Sequence, residues 1–202
     1  VTKRPDAITV LVDDHRAVDA LFKRFEKASD GAVATRRDLA SRMIRELSIH
    51  AAIEEQLFYP RLRATGKGMK DDVLEALEEH HVAKELLAEI EKLPPEHERF
   101  APKVKVLIET VRHHIEEEES DLFPRARKAL REDELVEIGE GLQALKTLAP
   151  TRPHPHAPDE PPANLANLGV AGLDRLRDVA GGAMEMTGRV VQAAKEAVAR
   201  RR

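Results

Sequence analysis

The sequence predicts an all-α protein: an up-down-up-down four-helix bundle with a short extra helix and an appended C-terminal helix. Three observations carry that expectation. Through the first 146 of 202 residues, apolar side chains recur at three- and four-residue spacing, the period of one helix face. Aromatic residues are few, five Phe and one Tyr with no Trp, whereas sandwiches and barrels draw on aromatic and β-branched side chains. Short connections between the apolar seams favour antiparallel neighbours. With 42% hydrophobic and 35% charged residues, the chain can bury a core and does not have a disordered composition.

Pro5-Asp6 opens the first helix, whose seam is Ile8, Leu11, His15, Val18, Phe22 and Phe25, and Asp30-Gly31 ends it. Met43, Leu47, His50, Glu54 and Leu57 form the second seam, which stops near Pro60 or a turn later. After the Gly66-Lys67-Gly68 loop, Val73, Leu77, His80 and Leu87 mark the third helix, closed by Leu93-Pro94-Pro95. Val104, Leu107, Val111, His114, Glu118 and Leu122 mark the fourth, with Pro124 near its end. Residues 131–146 read as the short extra helix, completing a bundle unit over 1–146. Six prolines between Pro150 and Pro162 mark 147–163 as a linker. Residues 164–202 regain an amphipathic helical pattern, which the Gly181-Gly182 pair should weaken or kink.

Composition removes several chemistries. Without Cys there is no disulfide framework, thiolate metal site or thiol nucleophile. The net charge of −4 divides into −6 over residues 1–146, −1 over 147–163 and +3 over 164–202. An acidic body is a poor nucleic-acid binder, because that affinity rests on neutralising phosphates. No apolar run reaches the ~20 residues that span a bilayer, and Val1–Asp6 has no signal-peptide core behind its charges. The expected location is the cytoplasm.

An internal repeat carries the functional information. His50, Glu54, Glu55, Tyr59 and Pro60 match His114, Glu118, Glu119, Phe123 and Pro124 at an offset of 64, and Asp14-His15 matches Glu79-His80 at 65. Each seam is apolar except where His15, His50, Glu54, His80, His114 and Glu118 interrupt it. One such interruption is commonly a satisfied core histidine. Six are another matter, since unpaired polar groups on core faces are costly. The two His-x-x-x-Glu pairs project from one helix face each. The midpoints of His15/His50, Glu54/His80 and His80/His114 fall at 32–33, 67 and 97, in or beside the expected turns. All six should therefore lie at one level of the bundle, as metal ligands. Imidazole and carboxylate without sulfur suit iron, manganese or zinc, and six donors exceed one tetrahedral site, so two ions with bridging carboxylates are expected. A ferritin-like set is disfavoured: Glu78-x-x-His81 has no mate on the fourth helix.

The series His15, His50-x-x-x-Glu54, His80, His114-x-x-x-Glu118 resembles the hemerythrin-like, HHE cation-binding family. The flanks Glu54–Pro60 and Glu118–Pro124 are similar to it as well, and the likeness covers about residues 6–130. It implies a non-haem, oxo- or hydroxo-bridged di-iron centre that binds O2 or reacts with peroxide or nitric oxide. Lys84 stands where the O2-carrying members place another His, and His114-x-x-x-Glu118-Glu119 replaces their His-x-x-x-x-Asp. Both departures point to the bacterial branch and speak against simple reversible O2 carriage.

Oxidative or nitrosative stress handling is the expected function, including a catalase-like or peroxide-reducing activity. The alternatives are a metal- or redox-responsive regulator acting through the C-terminal helix, and an iron-holding protein. That helix also offers a homodimer contact. Of the remaining polar residues, His81 and His113 read as flanking, and Glu55 and Glu119 as solvated positions or outer partners of the imidazoles. Tyr59 reads as core packing, and Lys84 either snorkels from the core edge or sits beside the metals.

Overall fold

The computed structural model describes residues 4–66, 68–158 and 170–178, and contains no strand among them. Helix α1 (Ala7–Lys27) begins where Asp6 accepts a hydrogen bond from the Thr9 amide at 2.8 Å, satisfying one of the free N–H groups of the first turn. Arg24 and Lys27 occupy its last turn, where the helix dipole favours cations. Helix α2 (Val33–Ile53) runs antiparallel to it. A π-helical turn at Glu54–Phe58 leads directly into α3 (Tyr59–Ala64), so the helix ends a turn after Pro60, within the expected range. Helix α4 (Lys70–Lys92) follows a turn in which Gly66 and Gly68 have φ of 62° and 74°, the left-handed region that glycine enters without penalty. Helix α5 (Phe100–Glu117) again passes through a π-turn, Glu118–Leu122, into α6 (Phe123–Ala129).

The two π-turns have one local cause. Pro60 and Pro124 have no N–H to return to the carbonyl four residues back, and their rings crowd it. Widening the preceding turn removes the conflict, and the amides of Tyr59 and Phe123 bond the carbonyls of Glu54 and Glu118 instead.

Helix α7 (Glu132–Lys146) starts where Glu134 accepts from the Arg131 amide at 2.9 Å, and packs across α1 and α2. Gly139 permits that approach, since a Cβ there would lie 2.6 Å from the Pro5 carbonyl oxygen. With α7 in place, every residue from Leu47 to Glu55 is buried.

Apolar packing forms two cores. One gathers Leu11, Ile53, Phe58, Leu62, Val73, Phe123 and Leu135. The other gathers Val18, Phe22, Met43, Leu87, Phe100 and Val104. His15, His50, His80 and His114 fall near the boundary between the two cores on the four long helices, and Glu54 and Glu118 open the π-turns that follow α2 and α5. Of residues 147–158, Ala149, Pro150, Thr151 and Pro153 are buried. Of the C-terminal segment, residues 170–178 are helical. There Arg175 donates to the carbonyls of Lys146 and Ala149, and Asp178 accepts from Arg45, Arg152 and Thr151. Pro161, Pro162, the Gly181-Gly182 pair and the terminal arginines lie outside the described residues.

Candidate metal centre

All six residues singled out in the sequence are buried and converge at one level. The Nε2 atoms of His15 and His50 are 3.2 Å apart, and those of His80 and His114 3.1 Å apart. The two carboxylates stand between these imidazole pairs. Glu54 Oε2 lies 3.2 Å from His50 Nε2 and 3.4 Å from His80 Nε2, reaching both pairs. Glu118 Oε2 does the same from the other side, at 3.3 Å from His15 and 3.5 Å from His114. Two donor groups result, His15-His50-Glu54-Glu118 and Glu54-His80-His114, overlapping at Glu54.

A shell of carboxylates turns the imidazoles to face inward. His80 Nδ1 donates to Glu55 at 3.0 Å, His114 Nδ1 to Glu79 at 2.7 Å and His15 Nδ1 to Glu119 at 2.8 Å. Asp14 approaches His50 Nδ1 less closely, at 3.6 Å, and is held by Lys146. Each of the four sits next to a residue of the inner set, on the helix beside the imidazole it serves. A carboxylate behind an imidazole fixes which nitrogen carries the proton and raises the basicity of the other. Glu55 is thus a buried partner of His80 and not a solvated position, and Glu119, half-exposed, bonds His15. The repeat, which pairs Glu55 with Glu119 and Asp14 with Glu79, was the available sequence signal. Lys84 bonds Glu55 at 2.6 and 2.8 Å, closing a His80–Glu55–Lys84 chain. His81 and His113 are exposed, as expected of flanking residues.

Tyr59 does more than pack. Its hydroxyl donates to Glu118 Oε1 at 2.9 Å and lies 3.4 Å from His80 Nε2. Burial, reinforced by the carboxylates of Glu118 and Glu54, pushes its pKa well above the usual phenol value.

In the metal-free protein the donors conflict. With the Nδ1 protons of His80 and His114 committed outward, their Nε2 atoms face one another lone pair to lone pair, while His50 Nδ1 has no hydrogen-bond partner. Both oxygens of Glu54 and Oε2 of Glu118 are buried without hydrogen-bond partners, an arrangement proteins seldom leave uncompensated. Desolvation and the neighbouring Glu118 raise the Glu54 pKa well above the carboxylate range. Desolvation pushes Glu118 the same way but is outweighed by His114, His15 and His50, which hold it below that range. Desolvation also lowers His50 to about 4 and depresses His80. For His114, Glu118 and Glu79 overcome that penalty and raise it. The donor set fits cations: they would satisfy the orphaned oxygens and the opposed lone pairs together.

Beside the imidazoles is a cavity of about 30 Å³, walled by Val18, Leu47, Ala51, Leu87 and Val111 with Lys84 at its edge. That is room for one or two water-sized molecules in apolar surroundings.

Comparisons with known proteins place the chain in a family. Residues 6–126 match the hemerythrin HHE cation binding domain. An uncharacterized hemerythrin-like protein of Schizosaccharomyces pombe is 31% identical over 181 residues, covering 89% of this chain and 87% of its own length. A DNA nickase of Nostoc is 29% identical over 66% of this chain, but the match spans 37% of that protein. A hemerythrin HHE cation binding domain-containing protein from Mycobacterium kansasii superposes with a TM-score of 0.61 at 24% identity, covering 71% of this chain and 86% of the other. No described helix is long and apolar enough to cross a membrane. The chain belongs to the hemerythrin HHE cation-binding family.

Proposed function

We propose that His15, His50, Glu54, His80, His114 and Glu118 hold a pair of iron ions, at which the protein handles O2, hydrogen peroxide or nitric oxide. The observation carrying this reading is the trio of unpartnered, buried carboxylate oxygens set among four inward-facing imidazole nitrogens. Two donor groups that share Glu54 support two ions over one. Nitrogen and oxygen donors without sulfur suit iron, with zinc or manganese as substitutes. A bound iron pair supplies electron exchange with the small molecule.

The chain's own residues supply the remainder. Glu55, Glu79 and Glu119 hold the Nδ1 protons of His80, His114 and His15, so each Nε2 presents its lone pair inward. Tyr59 keeps its proton and directs it to Glu118 Oε1, orienting that carboxylate. The apolar cavity walls exclude ions and favour a small neutral molecule.

Metal analysis and the near-ultraviolet spectrum of aerobically purified protein test the metal assignment. Two irons per chain with the bands of a bridged diferric pair are expected, and zinc-loaded or metal-free protein would overturn it. Peroxide consumption, compared with a His114→Ala variant, tests the reactivity; equal rates would dispose of it.

A second reading rests on one run of contacts. Arg175 bonds the carbonyls of Lys146 and Ala149, and the Lys146 ammonium bonds Asp14 behind His50. On this reading residues 1–146 are the working unit, 147–163 its linker, and 164–202 report the state of the centre to a partner or a second copy. Truncation after Lys146 separates the two: intact chemistry with an intact cellular phenotype favours the enzyme, whereas intact chemistry with a lost cellular phenotype favours the regulator.

A further inference from the structure

Two cavities reach the six-residue centre, and they differ in chemistry. The apolar one has been described. The second, about 190 Å³, lies between α4 and the start of the second π-turn. Its rim carries the carboxylates of Asp72, Glu75, Glu79, Glu117 and Asp121. Arg125 pairs with Asp72 at 2.9 Å and Asp121 at 2.7 Å, offsetting part of that charge. At the surface beside this rim, donor atoms of Glu79, His113 and Glu117 lie within 4.8 Å of one another, with His113 and Glu117 exposed.

An acidic cluster alone is commonly a solvated surface. Here the inner wall is formed by His114 and Glu118. Glu118 is 2% exposed, and its Oε2 has no hydrogen-bond partner. The cavity therefore leads from a rim of exposed carboxylates to a buried, unsatisfied one belonging to the centre itself. Glu79 spans both, lining the cavity while bonding His114 Nδ1.

We propose that this acidic cavity is the port by which divalent cations reach the buried centre, with the carboxylates of Glu75, Glu117 and Glu79 as its successive steps; the proposal rests on the metal-centre reading above. A hydrated cation must shed its water before it meets the buried ligands, and doing so in apolar surroundings is prohibitive. Along the acidic route, carboxylate oxygens replace lost water step by step. The apolar cavity, walled by Val18, Leu47, Ala51, Leu87 and Val111, offers one carboxylate, Glu79, and that one is bonded to His114. Ions and the small neutral ligand thus arrive by separate openings. A cleft lined by one sign of charge also concentrates counter-ions and speeds their arrival by roughly 10- to 1,000-fold at low salt.

Full-length protein stripped by a chelator is mixed anaerobically with Co(II), and the growth of its visible absorption bands is followed by stopped flow. A Glu75→Gln/Glu117→Gln variant is compared with wild type and with a Glu96→Gln/Glu98→Gln control of equal net charge. Glu96 and Glu98 are exposed residues beyond the end of α4. The port variant should load about 10-fold more slowly at low salt, reach the same final Co(II) per chain, and respond less to added salt. A rate equal to the control's overturns the port while leaving the metal centre standing. A lower final Co(II) content in the port variant also overturns it, since these carboxylates would then be ligands and not a route. No Co(II) uptake by wild type would instead sink the metal-centre reading, and the port with it.

Discussion

Glu54→Gln should stabilise the metal-free protein and weaken the metal-loaded one. Glu54 is fully buried, neither of its carboxylate oxygens has a hydrogen-bond partner, and Glu118 stands nearby. Gln has the same shape, carries no charge, and can offer amide hydrogens to the Nε2 atoms of His50 and His80, now 3.2 and 3.4 Å from Glu54 Oε2. Removing an unsatisfied buried polar group is worth about 1–3 kcal/mol. The pH dependence gives an independent check. The Glu54 pKa is raised above its ordinary 4.5 on folding, so above that pH the folded state binds more protons than the unfolded one and wild-type stability falls as pH rises. The loss is about 1.4 kcal/mol for each pH unit over which only the folded state holds the proton. Glutamine has no such slope. In urea with a chelator present at pH 7, a slope of about 2 kcal/mol per molar places the variant's midpoint roughly 0.5–1.5 M above wild type. The gap should close as pH falls toward 4.5. With anaerobic Fe(II) in excess the order should reverse, because ligand at 100 times its dissociation constant adds about 2.7 kcal/mol to the wild type. A variant no more stable than wild type at pH 7 in chelator would refute the reasoning, since Glu54 would then be satisfied by the protein alone.

Glu55→Ala should free His80 Nδ1 and leave Lys84 without its buried partner, lowering Fe(II) affinity by about 10- to 100-fold in a chelator-competition titration. Gly139→Ala places a methyl group 2.6 Å from the Pro5 carbonyl oxygen and 2.8 Å from the Asp6 carbonyl carbon. Backbone cannot yield as a side chain does, so a cost of about 1–3 kcal/mol and a melting temperature lower by roughly 2–12 °C are expected by calorimetry. Asp6→Ala removes the cap of α1 and the pairing with Arg127, costing about 1 kcal/mol near pH 7. Burial opposes the Asp6 charge, but Arg127 and Thr9 outweigh it and hold its pKa below 3.8. Its contribution is therefore complete above that pH and lost as pH falls through the folded value, so the two proteins' denaturation midpoints should converge in acid.

What could be read from the sequence follows from how local the signal is. A seam of His15 among Ile8, Leu11, Val18 and Phe22 needs only the helical period to be recognised, and the midpoints of the His and Glu positions need only chain length and turn residues. Hence four helices, their antiparallel order and six converging side chains were legible in the sequence. The π-turns were not: the sequence places the helix ends near Pro60 or a turn later and near Pro124, but nothing in its spacing marks the turn widened by one residue ahead of each proline. Whether a proline ends a helix or is absorbed depends on what the helix gains by continuing, here the packing of Phe58, Tyr59, Leu62 and Phe123 into a core.

By itself the sequence determined the bundle, its twofold repeat and which side chains interrupt the seams, because each is a property of one helix and its period. The tertiary structure decided which carboxylate backs which imidazole. Glu55 serves His80, Glu79 serves His114 and Glu119 serves His15, each bond joining two different helices. It also decided that Glu55 is buried, that the Tyr59 hydroxyl meets Glu118, and that one opening to the centre is apolar and the other acidic. These depend on the rotation of one helix about its axis relative to the next. Packing of both apolar cores and the docking of α7 set that rotation, and no single segment encodes it.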